Sequence, residues 1–172
     1  MDQLWAPWRL AYVAAPKAEP KPPADDCFIC RGVASSDDRA NLLVYRSELS
    51  VVVLNRFPYN NGHLLVAPKA HQGRPDGLSE AELLDLQLVL RRMIGVLDRA
   101  MTPDGFNVGL NLGAAAGAGL PGHLHWHVVP RWNGDTNFMP VFTDTKVIAQ
   151  SLDAAWELLT AGKKAEPHDE SR

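Results

Sequence analysis

The chain has 172 residues, of which 46% are hydrophobic and 22% charged, with a formal charge of −3 and a pI near 6.0. That length suits one domain with a real core rather than two. The mild acidity gives no electrostatic footprint for duplex nucleic acid, and no apolar run approaches the roughly 20 residues of a membrane span.

The opening residues Met1-Asp2-Gln3-Leu4-Trp5-Ala6-Pro7-Trp8-Arg9 carry an early acid and no apolar h-region, so they do not read as a secretory signal. Two cysteines in a Cys-x-x-Cys pair, without such a signal, point to a cytoplasmic protein rather than a disulfide scaffold. Residues 1–13 are aromatic and apolar (Trp5, Trp8, Leu10, Tyr12, Val13), which predicts packing on the body of the protein or on a second subunit. Residues 14–26 hold four prolines and no large apolar side chain, the composition of a semi-extended linker.

Cys27-Phe28-Ile29-Cys30 follows, then a Gly/Ser/Asp-rich loop to Arg39. Asn41–Arg46 and Leu49–Asn55 read as two strands about a tight turn at Ser47-Glu48. The run Val51, Val52, Val53, Leu54 is apolar on both faces, so the second strand belongs inside the sheet. Arg56–Gly62 is a loop, His63–Pro68 a third strand, and Lys69–Gly77 a loop holding His71 and Arg74. Ser79-Glu80-Ala81-Glu82 is a capping box ahead of Leu83, Leu86, Leu90, Met93 and Leu97, which predicts a helix over about 79–99. Phe106–Leu112 is a fourth strand, Gly113–Gly122 a loop of small residues, and Gly122–Arg131 a fifth strand. After a loop over Trp132–Phe142, helical spacing recurs from Asp144 to Ala161 and stops at Gly162. The polar tail from Lys163 is expected to fray. Short consecutive strands with two separate helices predict an α+β domain whose antiparallel sheet carries its helices on one face. The chain thus divides into an arm and linker (1–26), a domain (27–142), and a C-terminal helix and tail (143–172).

Half of the six histidines fall within five residues: His123, His125 and His127, alternating with Leu124 and Trp126. On a strand the imidazoles share one face and stand about 7 Å apart, while Leu124, Trp126 and Val128 line the other face. Burial of the apolar face locks that register. Such a row can hold a catalytic metal, in which case a further ligand must come from elsewhere. It can also act on phosphorus, because a neutral imidazole near pH 7 is a good nucleophile. The Gly/Ala-rich loop Asn111–Gly119 runs into the row, and its backbone N–H groups can approach a phosphate. The Cys27/Cys30 pair supplies half of a tetrahedral zinc site, or it is simply two small buried residues. A redox role would need a helix start in a βαβ setting, which the sequence does not predict.

These motifs resemble the histidine triad (HIT) family. His123-Leu124-His125-Trp126-His127-Val128-Val129 matches the pattern His-φ-His-φ-His-φ-φ, and Asn111-x-Gly113-x-x-Ala116-Gly117 matches the upstream loop. Asn55-Arg56-Phe57-Pro58 with Gly62-His63-Leu64-Leu65-Val66-Ala67-Pro68 matches a third signature. The segments Leu4–Arg9 and Pro130–Phe138 look like the branch containing diadenosine tetraphosphate phosphorylases. The resemblance implies a five-stranded antiparallel sheet with two helices, joined to a partner's sheet in a homodimer. It implies that His125 attacks the α-phosphorus and carries AMP, that His127 contacts phosphate or assists proton transfer, and that His63 orients the triad. It implies nucleotide contacts by Asn55, Phe57, Asn111, Gly117, Ala118, Gly119 and His127. It implies structural zinc on Cys27, Cys30, His71 and His123, with no cofactor needed for the chemistry. The implied partners are adenine nucleotides or dinucleoside polyphosphates and inorganic phosphate. Phosphorolysis of diadenosine tetraphosphate to ATP and ADP leads the expectations. A dinucleoside polyphosphate hydrolase, an adenosine phosphoramidase, a non-catalytic nucleotide-binding protein and a metal-dependent hydrolase are the alternatives. One position departs from the pattern: Ala118 stands where many members carry Gln, which favours phosphate held by backbone amides.

Overall fold

A computed structural model of the chain describes residues 27–136 and 147–161. The aromatic arm, the Pro-rich linker, most of the Trp132–Phe142 loop and the polar tail lie outside the described residues. In chain order the elements are α1 (Phe28–Ala34), β1 (Leu43–Arg46), β2 (Ser50–Leu54), β3 (Leu64–Pro68), α2 (Glu80–Met101), β4 (Gly105–Leu110), β5 (Trp126–Arg131) and α3 (Leu152–Ala161). The strands form one antiparallel sheet in the order β1-β2-β3-β5-β4.

The capping box forms as the sequence predicts. Ser79 Oγ accepts from the Glu82 N–H and Glu82 Oε2 accepts from the Ser79 N–H. Leu86, Val89, Met93 and Leu97 of α2 are buried on a face shared with Val52, Leu54, Leu64, Val66 and Val128. Val51, Val53, Leu65 and Ala67 point the other way, onto Cys27, Ile29 and Leu120. Strand β2 is therefore covered on both sides, as its unbroken apolar run requires.

The structure corrects four expectations. The Cys-x-x-Cys segment opens a helix, so the described residues hold three α-helices, and α1 lies on the face opposite α2 and α3. Helix α3 begins at Leu152, where Ser151 Oγ accepts from the Ala154 N–H; residues 147–151 before it are not helical, and the expected start at Asp144 lies outside the described residues. Strand β5 begins at Trp126, not Gly122. His123 and Leu124 leave the ladder because the Leu124 N–H donates to the Gln72 carbonyl at 2.6 Å. The rings of His125 and His127 consequently lie 5.1 Å apart rather than one full strand repeat.

That contact between the 71–73 loop and the approach to β5 depends on Gly73. A Cβ there would sit 2.6 Å from the Pro121 carbonyl oxygen, which is backbone and cannot swing away. Gly73→Ala is expected to cost about 1–3 kcal/mol through this overlap, read as a lower urea midpoint with an unchanged m-value.

Candidate active site and metal centre

Two strand ends and one loop bring three of the predicted histidines together. Pairing of Leu65 with His127 sets β3 beside β5 and places His63 and His127 on one face. His63 Nε2 and His127 Nδ1 are 2.9 Å apart. His125 packs edge-on against His127. His63 is fully buried and His125 is 7% exposed.

The surrounding donors fix the tautomers. His63 Nδ1 accepts the Tyr59 N–H at 3.0 Å and faces the Asn55 amide nitrogen at 3.2 Å. Its proton is therefore on Nε2, and it donates to His127 Nδ1. His127 in turn keeps its proton on Nε2. His125 Nδ1 is 2.8 Å from the His123 carbonyl oxygen, which can only accept, so Nδ1 carries the proton and Nε2 holds the lone pair. The nucleophile-capable nitrogen is set by a main-chain hydrogen bond.

Electrostatics favour the neutral forms. Burial lowers the pKa of His125, partly offset by the hydrogen bond to the His123 carbonyl. Burial, and then the neighbouring His125, push His127 down to about 4. An unfolded chain takes up that proton near 6.5, and the folded chain does so only near 4. The stability His127 contributes is thus complete above pH 6.5 and is lost as pH falls toward 4. A urea midpoint that declines across that window is the expected observation.

Asn55 does not stand free. Its Oδ1 accepts the Phe57 N–H at 3.0 Å and its amide nitrogen faces His63, so it ties the loop to the histidines. The loop is also held by Asn60, which donates to the Pro130 carbonyl and to Asp135. Asn55, Arg56 and Phe57 line a cavity of about 340 Å³ together with Phe28 and Arg31 of α1. That volume is within the range of small-ligand sites. Phe28 and Phe57 are 39% and 80% exposed there, unusual for phenylalanine. On the other side, pairing of Leu110 with Trp126 ends the β4–β5 ladder, and Asn111 and His125 are the next residues on the two strands. Asn111 approaches the Gly117 carbonyl at 3.4 Å, closing the Gly/Ala loop, in which Ala118 is partly buried and Gly119 exposed. No sequence motif assigns Phe28, Arg31 or Tyr59 to this site. Phe28 carried a signal, as an aromatic side chain between two cysteines that a zinc knuckle alone does not require.

His123 points away from its two neighbours. Cys27 Sγ lies 3.2 Å from His123 Nδ1, Cys30 Sγ lies 3.2 Å from His71 Nδ1, and Cys30 Sγ lies 3.5 Å from His123 Nδ1. The four donor atoms are all within 4.8 Å of one another. A tetrahedral zinc ion with Zn–S about 2.3 Å and Zn–N about 2.0 Å has donor–donor edges of roughly 3.3–3.8 Å, so the cluster fits one. The His123 Nε2–H donates to the Pro68 carbonyl at 2.8 Å, which leaves Nδ1 as the ligating lone pair and fixes the ring. Without a cation, burial and the adjacent Cys27 thiol push Cys30 up to about 11. The three triad rings do not converge on a point, and among the described residues this Cys/His set is the group able to share one ion.

A five-stranded antiparallel α+β protein with a tautomer-fixed histidine cluster at one sheet end, beside a Cys2His2 knuckle, defines a histidine triad site. The chain belongs to the HIT family: the HIT domain model matches residues 37–134. A Mycobacterium tuberculosis protein named AP-4-A phosphorylase is 39% identical over 169 residues, spanning 97% of this chain and 87% of the relative. The asymmetrical bis(5'-nucleosyl)-tetraphosphatase of Schizosaccharomyces pombe is 34% identical over 91 residues, 53% of this chain and 50% of that protein. Among solved structures, a Zn-bound histidine triad family protein from Mycobacterium smegmatis superposes with a TM-score of 0.64 at 24% identity, covering 83% of this chain and 99% of that one. A hypothetical histidine triad nucleotide-binding protein from Sulfolobus tokodaii gives 0.62 at 28% identity, over 78% and 87%.

Proposed function

We propose that the protein is a nucleotide-processing enzyme that phosphorolyses diadenosine tetraphosphate to ATP and ADP through a covalent AMP-histidine. The observation that carries this reading is the His125 Nδ1–H bond to the His123 carbonyl, which leaves Nε2 as a neutral nucleophile. The 39% identity to AP-4-A phosphorylase over nearly the whole chain supports the substrate class.

In the first step His125 Nε2 attacks the α-phosphorus. The N–P bond forms, the bond to the bridging oxygen of the β-phosphate breaks, and ATP departs with the electron pair. A phosphate leaving group is stable as an anion, its second pKa being about 6, so no acid must protonate it. His125 keeps its Nδ1 proton, and the His123 carbonyl offsets the positive charge that the phosphorylated ring gains. In the second step an oxygen of inorganic phosphate attacks the same phosphorus, the N–P bond breaks, ADP forms, and His125 returns neutral. His127 donates its Nε2–H to a phosphoryl oxygen and His63 holds it in that tautomer. Phe28 and Phe57 flank the adenine, and Asn55 with Arg31 and Arg56 borders the ribose and phosphates. Asn111 and the backbone amides of Gly117, Ala118 and Gly119 face the phosphate chain.

Cys27, Cys30, His71 and His123 would hold zinc, which supplies a structural cross-link because a Cys2His2 set leaves no open position. The outer edge of β4, unpaired among the described residues, suits pairing with a second copy as a homodimer. We place the enzyme in the cytoplasm on its Cys-x-x-Cys chemistry.

The similarity to a tetraphosphatase favours one second reading, in which water replaces phosphate and AMP replaces ADP. Chromatography of products with and without inorganic phosphate separates the two. Phosphate-dependent release of ATP and ADP is expected. Equal turnover without phosphate would make the protein a hydrolase.

A further inference from the structure

Tyr59 belongs to no catalytic pattern in the sequence, yet it touches two of the three clustered histidines. Its backbone N–H donates to His63 Nδ1 at 3.0 Å. Its ring lies nearly parallel to the His127 imidazole, with centroids 5.5 Å apart and planes 20° apart. The same ring lies tilted on His63 at 4.6 Å. The Tyr59 ring thus packs against both members of the hydrogen-bonded His63–His127 pair, and the residue as a whole is 51% exposed.

This position is held from both ends. Asn55 accepts the Phe57 N–H on one side. On the other, Asn60 donates to the Pro130 carbonyl and to Asp135, and Asp135 is paired with Arg131 at the end of β5. The loop cannot drift from β5 without breaking these contacts. Gly62 sits beyond them at φ +71, a left-handed turn that returns the chain to His63. A half-exposed aromatic ring clamped this way adds little to the core. Its flat face instead lies against the two imidazoles that share the His63–His127 hydrogen bond, where an aromatic ring packs with a preferred geometry.

We propose that Tyr59 is a positioning residue that holds His127 in the orientation and tautomer in which its Nε2–H meets the phosphoryl group. The proposal rests on the nucleotidyl-transfer reading for its kinetic consequence, and on the geometry alone for its structural one. Only the ring and the backbone N–H take part, so the phenol hydroxyl is dispensable. Loss of the ring lets His127 turn, and the deficit falls on the chemical step rather than on nucleotide capture. A misplaced catalytic group costs up to about 100-fold, so Tyr59→Ala is expected to lower kcat about 10- to 100-fold with KM within about threefold. Tyr59→Phe is expected to restore kcat to within about twofold.

The test combines kinetics on diadenosine tetraphosphate with ¹⁵N NMR of the histidine side chains in the full chain without substrate. Wild type and Tyr59→Phe should show His127 as a single Nε2–H tautomer. Tyr59→Ala should show tautomer averaging together with the kcat loss. Tyr59→Leu, which keeps apolar cover without a flat ring, carries the same test should the alanine variant not fold. Unchanged His127 signals in the ring-less variants would overturn the proposal, whatever the rates do. A rise in KM at constant kcat would also overturn it, by placing Tyr59 in substrate binding. Scrambled His127 signals in a protein that never turns over diadenosine tetraphosphate would support the positioning role and reject the substrate assignment instead.

Discussion

His125→Ala is expected to lower turnover of diadenosine tetraphosphate by at least about 10⁴-fold, because it removes the proposed covalent nucleophile and with it the two-step path. Affinity for AMP or a non-hydrolysable analogue should stay within about threefold of wild type. The asymmetry follows from the geometry. His125 is 7% exposed and offers one nitrogen, while the cavity bounded by Phe28, Asn55 and Phe57 takes no wall from it. Calorimetric titration alongside steady-state rates checks both halves. His127→Ala should fall between the two extremes, since it removes the proposed hydrogen-bond donor to the phosphoryl group, worth about 10²–10³ in kcat at comparable sites.

The second large effect concerns the Cys/His cluster. On the zinc occupancy proposed above, replacement of Cys30 by Ser, or treatment with a chelator, is expected to destabilise the fold by on the order of 5 kcal/mol, a fall in Tm of about 10–20 °C. The cluster ties the start of α1, through Cys27 and Cys30, to the 71–73 loop and to the approach to β5. Without an ion these four donors face each other with no charge to organise them, and their cross-link is gone. Thermal melts with and without chelator, restored by added zinc, give the readout. His123 belongs to both sites: its ring faces the cysteines and its carbonyl holds His125. Loss of the proposed zinc should therefore reach His125 through the main chain, and turnover should fall together with Tm.

Much of this site is legible in the sequence because a strand makes near neighbours of residues two apart. The alternation over His123–His127 marks the histidine row, and the capping box at Ser79 marks where α2 starts. The same alternation overstates β5, since it cannot register that the Gln72 carbonyl captures the Leu124 N–H. Local pattern also misreads Phe28–Ala34. Seven residues with Gly32 among them give no clear helical period, and α1 is fixed by burial of Ile29 and Gly32 against the sheet. Tyr59 and Phe28 escape notice for a related reason. Their significance lies in contacts with distant parts of the chain, His127 for one and the Asn55–Phe57 loop for the other. For helix α3 the apolar spacing runs back beyond Ser151, whose hydroxyl caps the first turn at Leu152.

Everything mechanistic here requires AMP to reside on one nitrogen between substrate cleavage and product release. Rapid acid-free quenching during turnover of diadenosine tetraphosphate, in the absence of phosphate, followed by peptide mass spectrometry measures this directly. An AMP adduct on the peptide carrying His125, absent from His125→Ala, is the predicted result. Full-rate turnover in phosphate with no adduct at any time point, or an adduct on another residue, would contradict it.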